Sequence, residues 1–268
     1  MNSSRGPGAG NKSLKAEHAS LQSSPRLLSS PTSRLSASAV IFDIGSTLVT
    51  GPEVAPNKVI AGLLGNVATD EVASVIMTAP FAGPDEVCAA LERKFGTLSP
   101  GVVIAIRDLW NAQATSAREI DGASGTVLAL KQNGLKVGLL SDIWSPYYAS
   151  VRKAIPRVIE AADSIVLSLH TGFRKPEPAN FVRALQELQV EPQDAVMVGD
   201  TYEHDILPAM RLGMCAVWVL ARPERELGSV VRVLNGEAPA PNLVIPQVTG
   251  LTERLQVKLL CDQVELRV

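Results

Sequence analysis

The chain has 268 residues, 46% of them hydrophobic and 19% charged, with a formal net charge of −2. That length holds one sizeable α/β domain plus a small inserted one, and the near-neutral charge disfavours nucleic acid as a partner. No apolar run approaches the ~18 to 20 residues that a membrane span needs, and Cys88, Cys215 and Cys261 are too few and too scattered for a disulfide framework or a structural zinc.

Residues 1–38 are rich in Ser, Gly and Pro, carry mostly basic charges and keep no helical or strand period, which is the composition of a disordered leader. Their basic, acid-poor character also fits an import leader, although they lack the continuous apolar segment of a secretory signal. The expectation is a cytoplasmic protein, with organelle import as the alternative.

From Ala39 onward short apolar runs alternate with amphipathic stretches, the pattern of a parallel sheet covered by helices on both faces. The runs are 40–42, 137–140, 164–169, 195–198, 215–220 and 243–245. Between them, helices are predicted over 123–133, 178–188 and 206–212, the first and last followed by Gly134 and Gly213. Residues 222–241, rich in Pro, Glu, Arg and Gly, read as a surface loop with one short helix, and 251–268 as a terminal helix and tail.

The stretch 51–120 breaks the alternation with helix after helix and predicts a helical cap inserted after the first strand. Thr69 is placed to cap one helix, Pro84 to start another carrying Val87, Leu91 and Phe95, and Ser99-Pro100 to start a third with Ile106 on its buried side. The domain division expected is therefore a core of 39–50 and 121–250, a cap of 51–120, and a tail of 251–268. An insertion at that point sits over the carboxyl edge of the sheet, where α/β folds bind ligands.

Four strand ends or adjoining loops bring polar groups to that edge. Asp43 closes the run Ala39-Val40-Ile41-Phe42 and opens Asp43-Ile44-Gly45-Ser46-Thr47, where a carboxylate can serve as nucleophile or metal ligand. Ser141-Asp142 follows the second strand, and its hydroxyl and backbone N–H groups can bind an oxyanion, although Ser-Asp is also an ordinary turn. Gly172-Phe173-Arg174-Lys175-Pro176-Glu177-Pro178 is a proline-braced loop, and Val198-Gly199-Asp200 is followed by Asp205. Taken singly, Lys175 could be a surface lysine and Asp205 a helix cap. None of the three histidines has a partner that the sequence identifies.

Together these motifs resemble, in order and spacing, the haloacid dehalogenase-like hydrolases. The resemblance covers residues 39–250 and implies a three-layer, Rossmann-like α/β core with an inserted α-helical cap. It also implies roles: Asp43 as nucleophile and metal ligand, Asp200 as the acidic ligand, Gly45 as a ligand through its carbonyl oxygen, and Asp205 orienting a metal-bound water. Lys175 would hold Asp43 and the phosphoryl group, with Ser141, Asp142 and the N–H groups around them at the phosphoryl oxygens. The implied cofactor is Mg²⁺, which prefers oxygen ligands, and the implied partner is a small phosphorylated metabolite.

Gly45 departs from the pattern. Most phosphatases of this superfamily carry a second Asp there, which protonates the leaving alcohol and then activates water. Loss of such a group removes about 10²- to 10⁴-fold in rate, or about 3 to 5 kcal/mol. Three readings stand: an Mg²⁺-dependent phosphatase working through an aspartyl-phosphate on Asp43; a metal-independent dehalogenase or phosphonatase-like hydrolase; and a weakly active or inactive member that binds a phosphorylated ligand or a protein. The dehalogenase reading lacks the expected Arg between Ile44 and Glu92, and the phosphonatase reading needs a cap lysine, for which Lys58 and Lys94 are the candidates.

Overall fold

A strand buried on both faces needs apolar side chains at successive positions, and Ala39–Phe42 supplies four in a row. In a computed structural model, which describes residues 35–257 apart from 66 and 253, this segment is β1 of a six-stranded parallel sheet. The others are β2 Lys136–Ser141, β3 Ser164–Leu167, β4 Ala195–Gly199, β5 Cys215–Val219 and β6 Leu243–Ile245, in the spatial order β3-β2-β1-β4-β5-β6. The order reverses between β1 and β4, so the crevice at the carboxyl ends of these strands is the place where such sheets bind ligands.

Alternate side chains of β1 face opposite layers. Ala39 and Ile41 pack with Phe181, Ala184, Leu185 and Leu188 of the helix Pro178–Leu188. Val40 and Phe42 pack with Val127 and Leu130 of the helix Ala123–Gln132 and Val158 of Pro156–Ala161. The first of these helices approaches so closely at Gly138 that an added Cβ would lie 3.0 Å from Leu188 Cδ1. The core is therefore a three-layer α/β sandwich with the inserted helical region that the sequence implies.

That region holds α1 Pro56–Leu64, α2 Thr69–Ile76, α3 Pro84–Phe95 and α4 Pro100–Gln113. Proline opens three of the four, where its missing N–H costs nothing, and Ser99 caps α4 by accepting from Val102 N–H. Ile60, Val72, Ile76, Val87, Leu91 and Ile106 point inward and join one apolar cluster with Val40 and Phe42. The ends of the insertion are clamped together: Val49–Thr50 pairs antiparallel with Arg118–Glu119, and Ile120 N–H donates to Leu48 O at 3.0 Å.

Several expectations are corrected. Thr69 is the first helical residue of α2 rather than its cap, and Ala68 precedes it without a side-chain cap bond. The third run stops as a strand at Leu167, because Ser168–Thr171 turns helical and Ser168 Oγ accepts from Ile143 N–H. Leu35–Ala37, assigned by composition to the leader, pairs in parallel with Leu255–Val257, which is strand where a helix was expected. The remainder of the leader, 1–34, and the tail from 258 lie outside the described residues. No single helix among the described residues is long and apolar enough to cross a membrane.

Asp163 fastens the sheet's second layer. Its Oδ2 accepts from Val137 N–H at 2.8 Å, its own N–H donates to Val137 O, and Lys131 Nζ lies 2.5 Å from Oδ1. Partial burial pushes this carboxyl up, but the Lys131 ammonium and the Val137 N–H outweigh it and hold the group below its ordinary range. A depressed folded pKa stabilises above the unfolded value, about 3.9, and that contribution is lost as pH falls through the folded value. Asp163→Asn should therefore cost about 1 kcal/mol or less at pH 7, since a third of each partner is in water. Urea midpoints of the two proteins should converge below pH 4; a constant gap would rule out the ionic origin.

Candidate active site

Strand register assembles the site. Phe42 sits opposite Leu139 of β2 and Val198 of β4, so Asp43, Ser141 and Asp200 emerge at the carboxyl ends of three adjacent strands. Asp43 N–H still donates to Val198 O at 2.9 Å, which holds the carboxylate at the sheet edge before the chain turns away. The turn is tight: Leu48 N–H returns to Ile44 O and Ser46 takes a positive φ of 61°.

Lys175 reaches into the same place from its proline-flanked loop. Its Nζ donates to Asp43 Oδ1 at 2.7 Å, to Asp205 Oδ1 at 2.5 Å and toward Leu140 O at 3.5 Å, and the residue is only 5% exposed. The surface-lysine reading is thereby removed. Ser141 Oγ donates to Asp43 Oδ1 at 3.1 Å. Asp142 Oδ1 accepts the Lys175 backbone N–H at 3.0 Å, and its Oδ2 lies 3.8 Å from Arg174 Nε. The Asp142 side chain therefore braces the lysine loop.

Asp205 lies in the π-turn Tyr202–Ile206 after β4, with Oδ2 accepting from Thr201 N–H at 3.0 Å. This packing dictates Gly199: an added Cβ there would come within 2.5 Å of the Asp205 side chain. Gly45 is different, because an added Cβ would meet nothing within 4 Å.

One carboxylate oxygen from each of Asp43, Asp200 and Asp205 lies within 4.8 Å of the other two, and all three residues are buried. Burial pushes all three carboxyls up in pKa; Lys175 opposes this at Asp43 and Asp205, and Arg222 opposes it at Asp200. Burial pulls the Lys175 ammonium the other way, but Asp205, Asp43 and Asp142 outweigh it and keep the group protonated. An all-oxygen, acid-rich cluster of this kind fits a divalent metal such as Mg²⁺. Both Asp205 oxygens hold protein donors, Lys175 Nζ and Thr201 N–H, and so do those of Asp200, which accept from Thr201 Oγ1 and the Arg222 guanidinium.

A cavity of about 300 Å³ opens above these groups, and Gly45, Ser46, Gln113, Trp144, Tyr147, His204 and Arg222 also line it. Arg222 is a correction, since composition placed it in a surface loop. It stands just beyond β5 and its guanidinium pairs with Asp200 Oδ2; its position after a strand end was the available signal. His204 Nδ1 lies 3.1 Å from Lys175 O. Tyr147 donates its hydroxyl to Thr50 O at 2.6 Å, and burial together with Asp43 pushes that phenol up in pKa. Nothing in the local sequence marks Tyr147 or Gln113.

A family described as haloacid dehalogenase-like hydrolase matches residues 37–213. Among curated proteins, the chain is 33% identical over 108 residues to a glyceraldehyde 3-phosphate phosphatase of Pyrococcus furiosus, covering 40% of this chain and 45% of that one. It is 34% identical over 95 residues to the N-acylneuraminate-9-phosphatase of Mus musculus, covering 35% of each. The chain thus spans less than half the length of these relatives. Solved structures extend the likeness in fold: a hydrolase of this family from Deinococcus radiodurans with bound phosphate and sodium (TM-score 0.52, 21% identity, 80% of this chain and 93% of that one), and a 2-haloacid dehalogenase from Pseudomonas syringae pv. Tomato (TM-score 0.52, 21% identity, 81% and 97%).

Gly199→Ala should lower stability by roughly 1 to 3 kcal/mol, the usual cost of overpacking a filled site. The shift in urea midpoint measures this, and an unmoved midpoint would mean that Asp205 yields freely.

Proposed function

The chain belongs to the haloacid dehalogenase-like hydrolases, and we propose that within this family it is an Mg²⁺-dependent phosphatase of a small phosphomonoester. The fold does not choose, since a dehalogenase and a phosphate-bound hydrolase match it equally well. The carrying observation is the buried cluster of Asp43, Asp200 and Asp205 around Lys175. Displacement of halide and hydrolysis of the resulting ester call for the nucleophile and one base to activate water but for no metal-binding cluster, whereas a phosphoryl group needs cations to offset its charge. The names of the phosphatase relatives favour the same substrate class.

In this reading Asp43 attacks phosphorus and becomes an aspartyl-phosphate, which water then clears. Lys175 holds the attacking carboxylate in place and neutralises charge on the phosphoryl oxygens. The Ser141 hydroxyl and the backbone N–H groups beside Asp142 bind those oxygens. Asp43, Asp200 and the Gly45 carbonyl would hold the Mg²⁺, with Asp205 placing Lys175 and a metal-bound water; the ion supplies electrostatic relief for the negative charge of the ester. Gly45 offers no proton to the leaving alcohol, so the reaction relies on water, the substrate or a neighbouring side chain for that transfer.

Para-nitrophenyl phosphate should be hydrolysed with Mg²⁺, and both EDTA and Asp43→Asn should abolish the activity. Turnover indifferent to EDTA would remove this mechanism, and activity no higher than that of Asp43→Asn would favour a binding role. Because position 45 has open space for a side chain, Gly45→Asp should fold. It should raise turnover of alkyl phosphates, which leave poorly, by more than that of the nitrophenyl ester; equal gains would show that position 45 is not an acid-base site.

A further inference from the structure

Gln113, the last residue of α4, carries the one buried polar side chain among the described residues of 51–117. Its Oε1 accepts from Trp144 Nε1–H at 2.9 Å. An indole nitrogen only donates, so this contact fixes the amide's orientation: oxygen faces Trp144 and the NH₂ group is at the other end. Among the described residues no acceptor takes up that NH₂. It is not sealed in protein either, since Nε2 keeps access to the cavity that Gln113 lines together with Asp43, Ser141 and Lys175.

The cavity wall mixes charged groups with apolar ones. Met77, Ile143 and Trp144 border the same cavity, and the Tyr147 hydroxyl proton is already given to Thr50 O. A structural tie between α4 and the loop that follows Ser141 would need only the Gln113 oxygen. The amide nitrogen is left as a fixed pair of donors in a cavity of about 300 Å³, at the lower end of small-molecule sites. We propose that Gln113 Nε2 determines specificity by donating to a carbonyl oxygen in the alcohol half of a compact phosphomonoester. A carbonyl oxygen satisfies the donors without bringing a proton of its own to place. This rests on the phosphoester reading above.

The test compares acetol phosphate with propyl phosphate, which differ by that carbonyl. Gln113→Glu keeps an oxygen for Trp144 and removes the donors, and Gln113→Met, close in volume, serves if the carboxylate prevents folding. The ratio of kcat/KM for acetol phosphate to that for propyl phosphate should fall about 10- to 100-fold in either variant. A ratio held within twofold, even if both substrates slow together, would leave Gln113 a structural tie and overturn the proposal. A second arm needs no turnover: calorimetry of acetol phosphate and of propyl phosphate with Mg²⁺ and the full-length Asp43→Asn protein, with and without Gln113→Met. Weaker binding of acetol phosphate with propyl phosphate binding unchanged in the double variant supports the donor role, and loss of both alike marks a structural tie and overturns it. Equal affinity, or no binding to either protein, overturns it, whether or not the wild-type protein proves to be a phosphatase.

Discussion

A lysine almost wholly withdrawn from water has to be paired, and the rest of this site is arranged around meeting that demand for Lys175. Its ammonium takes Asp43 from the end of β1, Asp205 from the turn after β4, and faces the Leu140 carbonyl on β2. One side chain therefore fixes three strand ends against one another. The loop that delivers it is fixed in turn, by Asp142 accepting its backbone N–H and by Asn180 Nδ2 donating to Phe173 O at 2.7 Å. Removing either acid would leave a buried cation partly unanswered, so the geometry of the nucleophile and the stability of the core edge are parts of one arrangement.

Much of this was legible in the chain because the corners of the site follow strong local signals. Asp43, Ser141 and Asp200 each come directly after an apolar run too short for anything but a buried strand, and Lys175 sits between residues that brace a loop. What was not legible depends on contacts between distant segments. Arg222 comes soon after a strand end, but the Pro, Glu and Arg content of its stretch reads alike whether it lines a cavity or faces water. Gln113 ends a helix whose apolar stripe already accounts for its folding, and its burial comes from Trp144, 31 residues further on. The strand Leu255–Val257 was missed for the same reason, since its partner Leu35–Ala37 lies at the other end of the chain.

Two glycines show how one motif position can be fixed by packing while another stands open. Gly199 answers to packing, because Asp205 occupies the space a side chain would need. Gly45 answers to nothing nearby, so the fold does not require its missing side chain. In the proposed reading the departure at position 45 bears on proton transfer, while the charge pairing of Asp43 stays in place.

The charges around the cavity explain why its cations matter to an anionic substrate. Four carboxylates, on Asp43, Asp142, Asp200 and Asp205, line the cavity with the cations of Lys175, Arg222 and Arg225, while Arg174 beside it pairs with Asp142 and with Asp70 on α2. With its own cations tied up by these carboxylates, the cavity offers an anionic ester little unpaired positive charge, and the low dielectric of the enclosed edge makes that matter more. Arg222 is held by Asp200, one of the three carboxylates of the acidic cluster. In the proposed reading Asp200 would share the holding of the ion, and Arg222, a cationic side chain a third exposed to solvent, lies at the same cavity to answer the charge of the ester.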